Sequence, residues 1–185
     1  EAGTGTGKSL AYLLPATLWA KGSRQQVIIS TNTINLQEQL MSKDIPLLRQ
    51  QLGEDFGAVV LKGRGNYICR RKWRAMRQQA EAKTLPVYLR LAHWLTLTNS
   101  GDFSELNLWG QEYDIVQQLN AGSESCVNFN CPFQRKYCFV SQIRRKAQQA
   151  DLLIINHSLL LTVAQLGDDG AGVLPPARYL IVDEA

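Results

Sequence analysis

Lys8 and Ser9 close the run AGTGTGKS, Ala2 to Ser9, while an acidic pair, Asp183 and Glu184, ends the apolar run YLIV at the other end of the chain. The first run fits A/G-x-x-x-x-G-K-S/T, a phosphate-loop pattern, with Ala2 in place of glycine at its first position. Gly3, Gly5 and Gly7, interleaved with Thr4 and Thr6, permit backbone torsions that turn successive N–H groups toward an anion. The helix that follows adds its positive end. Lys8 then pairs with the β- and γ-phosphates of ATP, and the Ser9 hydroxyl is a ligand for Mg²⁺. A strand running into Asp183 and Glu184 puts both at the carboxyl edge of a parallel sheet, where open α/β folds bind ligands. Asp183 suits the Mg²⁺ shell and Glu184 suits polarising an attacking water, since phosphoryl transfer chiefly needs positioning and charge neutralisation. Either motif alone arises by chance; the two together point to nucleoside triphosphate hydrolysis.

A second chemistry lies between them. Cys126, Cys131 and Cys138 fall within the thirteen residues CVNFNCPFQRKYC, and Cys69 lies far upstream in GRGNYICRRKW. The spacing C-x56-C-x4-C-x6-C lacks the paired C-x2-C knuckles of most structural zinc sites. An iron–sulfur cluster accepts thiolates from well-separated loops, so the spacing leaves cluster, zinc and unliganded core thiols all open. From Lys62 to Lys83 there are eight Lys or Arg residues against one acid, Glu81. Arg64, Arg70, Arg71 and Lys72 alternate there with Tyr67 and Trp73. Cations that follow a phosphate backbone beside aromatic faces that stack on bases suit single-stranded nucleic acid. Arg135, Lys136, Arg144, Arg145 and Lys146 form a second cationic set.

The elements that must position these groups are legible in outline. A helix follows the phosphate loop, carried by Leu10, Leu14 and Leu18 at i, i+4 spacing, with a break or kink expected at Pro15 and a C-cap at Gly22. Four apolar runs read as strands: Gln26–Ser30, Ala58–Leu61, Leu152–Ile155 and Tyr179–Val182. A helix capped by Asn32 or Thr33 follows the first. Apolar strands alternating with helices imply an α/β fold with a parallel sheet covered on both faces. Residues 63–150 read as a mostly helical insertion between residues 1–62 and 151–185.

Composition bounds the rest. With 185 residues, 45% hydrophobic and 19% charged, the chain is of ordinary globular type and long enough for one sizeable core. The net charge of +4 is modest and unevenly spread. No apolar run is long enough to span a bilayer and no signal peptide opens the chain, so a cytoplasmic location is expected, where thiols stay reduced. The abrupt ends, within both phosphate-site motifs, read as a segment of a longer protein.

Taken in order, EAGTGTGKS, STNTINLQEQL, KGRGNYIC, CVNFNCPFQRKYC, IINHSLL and VDEA resemble the bacterial DinG branch of the XPD-like iron–sulfur DNA helicases, over nearly the whole chain. The resemblance implies a RecA-like P-loop NTPase sheet interrupted by an iron–sulfur insertion. It implies that Cys69, Cys126, Cys131 and Cys138 hold a [4Fe–4S] cluster, and that Asp183 and Glu184 are the first letters of a DEAH box. Thr31 and Thr33 would lie near the DNA backbone, and Asn156 and His157 match an NH pair of unassigned role. The intact protein would unwind forked duplex DNA with 5′ to 3′ polarity on single-stranded DNA, with a role in DNA repair. This segment, without a second RecA-like domain, is expected to be inactive alone. The alternatives are a zinc-stabilised nucleic-acid-binding module with a vestigial nucleotide site, and a translocase or RNA helicase on the same P-loop motor.

Overall fold

The computed structural model of the chain describes residues 7–53, 55–79, 81–122, 126–127, 130–134, 136–167 and 172–184. The expected phosphate-loop residues Ala2, Gly3, Thr4, Gly5 and Thr6, and the cation Arg135, lie outside the described residues. The chain divides into two compact units, one formed by residues 1–62 with 144–185 and the other by residues 63–143.

The first unit is built on strands β1 (Val27–Thr31), β2 (Ala58–Val60), β3 (Leu152–Asn156) and β4 (Tyr179–Val182). They form an all-parallel sheet in the order β2-β3-β1-β4. The four expected strands are therefore present, each within one residue of its expected bounds, and the α/β class with a parallel sheet holds. The register sets Ser30 against both Ile155 of β3 and Val182 of β4. All five residues of β1 are buried, as a strand covered on both faces requires. Alternate residues Val27, Ile29, Leu152 and Ile154 pack with Leu13, Ala16 and Ala20 of helix α1 (Lys8–Ser23), and with Ile45 and Leu48 of helix α3 (Ile45–Leu52). β4 differs: Tyr179, Leu180 and Val182 are exposed, and Ile181 alone in this strand packs on the core.

Helix α1 corrects three expectations. It runs unbroken through Pro15. Its buried face is Leu13, Ala16, Thr17 and Ala20, whereas Leu14 and Leu18 face outward. The helical period was legible, but Leu is common enough on both faces of α1 that the stripe did not mark the core side. The C-cap is Arg24 at φ 53°, not Gly22, and the last turn is closed by Ser23 Oγ donating to the Trp19 carbonyl at 2.7 Å.

After β1, Thr33 caps helix α2 (Ile34–Gln39), its hydroxyl accepting from Leu36 N at 3.2 Å. A π-helical turn over Leu40–Asp44 then leads into α3. Pro46 explains the turn: proline has no N–H for the carbonyl one turn back, and the ladder widens before it, with Ile45 N reaching Leu40 O.

The second unit is mostly helical: α4 (Arg70–Met76), α5 (Leu85–Leu97), α6 (Gln111–Leu119) and the first turns of α7 (Phe139–Gln149), with the division between units falling inside α7. Its core joins Ile68, Trp73, Tyr88, Leu91, Trp94, Phe103, Ile115, Val116, Leu119 and Phe139. Two isolated antiparallel bridges, Tyr67 with Asp102 and Ile68 with Asn120, fasten the segment that enters it. Gly101 is required here, because its φ is +65° and an added Cβ would stand 2.3 Å from the Phe139 ring.

Candidate nucleotide site and thiol set

Gly7 caps the N-terminus of α1 at φ 77°, a left-handed conformation open to glycine, and its carbonyl accepts from Ala11 N at 3.1 Å. Lys8 and Ser9 thus occupy the first turn of the 16-residue helix α1, where backbone N–H groups have no partner within the helix. At the end of β4, Asp183 N donates to the Ser30 carbonyl at 2.9 Å, which continues the sheet ladder for one residue beyond the strand.

Tyr12 joins the two ends of the site. It lies one helical turn after Ser9, and its phenol donates to Asp183 Oδ2 at 3.0 Å. Ser9 acts on the same phenol in the opposite sense to Asp183, favouring its ionised form. Burial, and then the neighbouring Asp183 carboxylate, hold it protonated well above the ordinary tyrosine range, so it is a donor at any physiological pH. The two expected Mg²⁺ ligands, Ser9 and Asp183, therefore both act on the Tyr12 phenol although they lie at opposite ends of the chain. Sequence reasoning missed Tyr12; the available signal was its i+3 offset from Ser9, which puts both on one helix face.

Glu184 is exposed and sits at φ 58°, a left-handed conformation that costs a non-glycine residue about 1–3 kcal/mol. His157, the first residue of helix α8 (His157–Leu166), reaches the same place: Nδ1 lies 2.7 Å from Ser30 Oγ and Nε2 lies 2.8 Å from the Asp183 carbonyl oxygen. Asn156 has a separate task. Its Oδ1 accepts from Leu159 N at 3.0 Å and caps α8.

The expected nucleic-acid contacts divide. Thr33 is exposed, whereas Thr31 is fully buried at 0% exposure with its hydroxyl turned to the Thr33 carbonyl. Tyr67 is 2% exposed, packed with Ala121 and Val140, and Trp73 stacks on Tyr88 with ring centroids 5.7 Å apart. Both rings belong to the core of their unit and present no open face for a base. The pattern of aromatics among cations is the same for a stacking surface as for an amphipathic helix whose aromatic side faces inward. Arg64, Arg70, Arg71 and Lys72 are half-buried, and Arg70 lies over the Phe139 ring, 4.4 Å from its centroid.

All four cysteines are half-buried and none is in a disulfide. Cys69 and Cys138 pack against the same small cluster, Tyr67, Ala121 and Val140. Cys69 is further fixed by its amide, which donates to the Leu119 carbonyl at 2.8 Å. The donor types and their number fit a thiolate-bound group, and one pair shares a patch. The set of four is not assembled: among the described residues no three His, Cys, Asp or Glu side chains are grouped to hold a metal ion. Nor, among those residues, is any helix long and apolar enough to cross a membrane.

No protein-family model matches the chain. Curated proteins do. The chain is 36% identical over 189 residues to the ATP-dependent DNA helicase YoaA of Haemophilus influenzae, aligning 100% of its length with 29% of that protein. It is 36% identical over 207 residues to the ATP-dependent helicase DinG of Mycobacterium tuberculosis, with 100% of the chain and 30% of that protein aligned. To the 3′-5′ exonuclease DinG of Bacillus subtilis it is 35% identical over 197 residues, again along 100% of the chain but 20% of the relative. The chain thus spans a fifth to three tenths of the length of these relatives. Aligned from end to end with proteins of these names, the chain belongs to the DinG-type helicase family.

Proposed function

We propose that the chain is the nucleotide-binding segment of an ATP-dependent DNA helicase, in which Lys8, Ser9, Asp183 and Glu184 carry ATP hydrolysis with Mg²⁺. The observation that carries this reading is the Tyr12–Asp183 hydrogen bond, which joins the helix that opens with Lys8 and Ser9 to the acidic pair at one edge of a parallel sheet. Lys8 would neutralise the β- and γ-phosphates, Ser9 and Asp183 would hold Mg²⁺, and Glu184 would orient the attacking water. The sheet and its helices are read as part of a RecA-like domain, with the ATP-bound residues Ala2 to Ser9 cradling the phosphates.

Residues 63–150 are read as the insertion, with Cys69, Cys126, Cys131 and Cys138 as ligands of a [4Fe–4S] cluster. Four thiols of matching type, half-buried and outside any disulfide, support this, as does the shared seat of Cys69 and Cys138. The cluster, when bound, supplies a covalent cross-link between Cys69 and a loop more than fifty residues away. That link offsets the closure entropy of a small unit. Single-stranded and forked DNA are the proposed substrates, with 5′ to 3′ polarity, contacted by Thr33 and by the cations Arg64, Arg70, Arg71 and Lys72 of the basic segment. A cytoplasmic location and a role in DNA repair accompany the reading.

DNA-stimulated ATP hydrolysis by the intact protein tests it. Turnover that depends on Mg²⁺, rises with added single-stranded DNA and is lost in Glu184→Gln is expected. Turnover unaffected by that substitution would overturn the assignment.

A further inference from the structure

Asp183 is held by three separate elements. Its amide donates to the Ser30 carbonyl of β1, its carboxylate accepts from Tyr12 of α1, and its carbonyl oxygen lies 2.8 Å from Nε2 of His157 at the start of α8. A carbonyl oxygen only accepts, so Nε2 carries the hydrogen. In the Nε2–H tautomer Nδ1 is an acceptor, and the Ser30 hydroxyl, 2.7 Å away, is its donor. One tautomer and one ring orientation satisfy both partners. Ser30 is fully buried, and Asn156 caps α8 immediately before His157, so both ends of this bridge stand on fixed backbone.

The Asp183 carbonyl belongs to the peptide that leads into Glu184, the exposed residue at φ 58°. A non-glycine residue keeps such a conformation where the surrounding structure over-determines it. The bond from His157 fixes the plane of that peptide, and with the Ser30–Asp183 bond it holds the chain on both sides of the Asp183 Cα.

We propose that His157 is a positioning residue for the acidic pair: by donating from Nε2 to the Asp183 carbonyl it sets the Asp183–Glu184 peptide, and so the direction in which the Glu184 carboxylate is presented to the attacking water. This rests on the ATP-hydrolysis reading above. A histidine that merely closes the end of β3 would show in stability alone.

Three variants of the intact protein separate the roles. In His157→Gln the side-chain amide reaches the position of Nε2 and still donates to the Asp183 carbonyl. In His157→Asn it reaches only the position of Nδ1, toward Ser30, and His157→Ala keeps neither bond. DNA-stimulated kcat is expected to fall about tenfold or more in the Ala and Asn variants, to stay within about threefold of wild type in Gln, and KM for ATP is expected to change by less than about twofold throughout. Equal activity of Asn and Gln, a loss carried by KM, or kcat following the melting temperature across the three would overturn the proposal. The ring is read independently of turnover by ¹⁵N NMR of histidine-labelled wild-type protein, assigned by the signal missing from His157→Gln. A slowly exchanging Nε2–H with unprotonated Nδ1 is expected, and an Nδ1–H tautomer or a freely exchanging ring would overturn it. A wild type that turns over no ATP would count against the activity reading, while the NMR result still decides the geometry.

Discussion

The Tyr12 hydroxyl donates to Asp183 Oδ2 at 3.0 Å, bridging 171 residues of sequence between the helix that follows the phosphate loop and the acidic end of β4. It fixes which carboxylate oxygen is turned toward α1. Tyr12→Phe removes the donor and keeps the ring. Hydrogen bonds to charged groups contribute about 1.5–3 kcal/mol, so steady-state ATP turnover by the intact protein is expected to fall about tenfold or more. Circular dichroism should show an unchanged fold.

That contact also marks the limit of what could be read from the residues alone. The strands were legible because Val27–Thr31 and Leu152–Asn156 are short runs rich in Val and Ile, and it is their length and β-branched content, not a periodicity, that sets them apart from buried helix. The motif residues Lys8, Ser9, Asp183 and Glu184 were legible because their chemistry demands fixed neighbours. Tyr12, Ser30 and His157 were not, since each gains its role from a partner distant in sequence. Tyr67 and Trp73 failed in the opposite sense: their local company suggested a surface, but their rings fill the second core. Pro15 misled because proline usually ends a helix, and here the packing of Leu13, Ala16 and Ala20 outweighs about 3 kcal/mol of local cost.

Gly101 has no room for a methyl group. Gly101→Ala would set a Cβ 2.3 Å from the Phe139 ring at a φ of +65°. Overpacking and the left-handed backbone together are expected to destabilise the second unit by about 3 kcal/mol. Amide exchange across α4 to α6 measures this, with exchange in the β-sheet staying slow.

Arg90 of α5 donates to both carboxylate oxygens of Glu112 in α6, at 2.6 and 2.7 Å, and to the Asn107 carbonyl at 2.9 Å. Those hydrogen bonds hold the Glu112 carboxyl below its usual range against the opposing effect of burial. A carboxyl whose pKa is lowered by folding adds stability above its unfolded pKa, and loses it as pH falls through the folded value. Glu112→Gln is therefore expected to lower stability by about 1 kcal/mol at neutral pH. The gap from wild type should close in denaturant titrations below the ordinary glutamate range.

Cys131→Ser removes one of the four proposed thiolates. Anaerobically purified protein should lose its iron and its visible absorption, and limited proteolysis should cut residues 63–143 faster while the β-sheet unit resists. Retention of iron together with helicase activity would show the ligand set to be wrong. A colourless wild type with one zinc per chain would favour the zinc-stabilised module.

Strand displacement by the intact protein on a forked DNA duplex tests the central claim most directly. The account predicts separation that needs ATP and Mg²⁺, proceeds from a 5′ single-stranded tail and disappears in Lys8→Ala. Separation without ATP, or undiminished in Lys8→Ala, would contradict it.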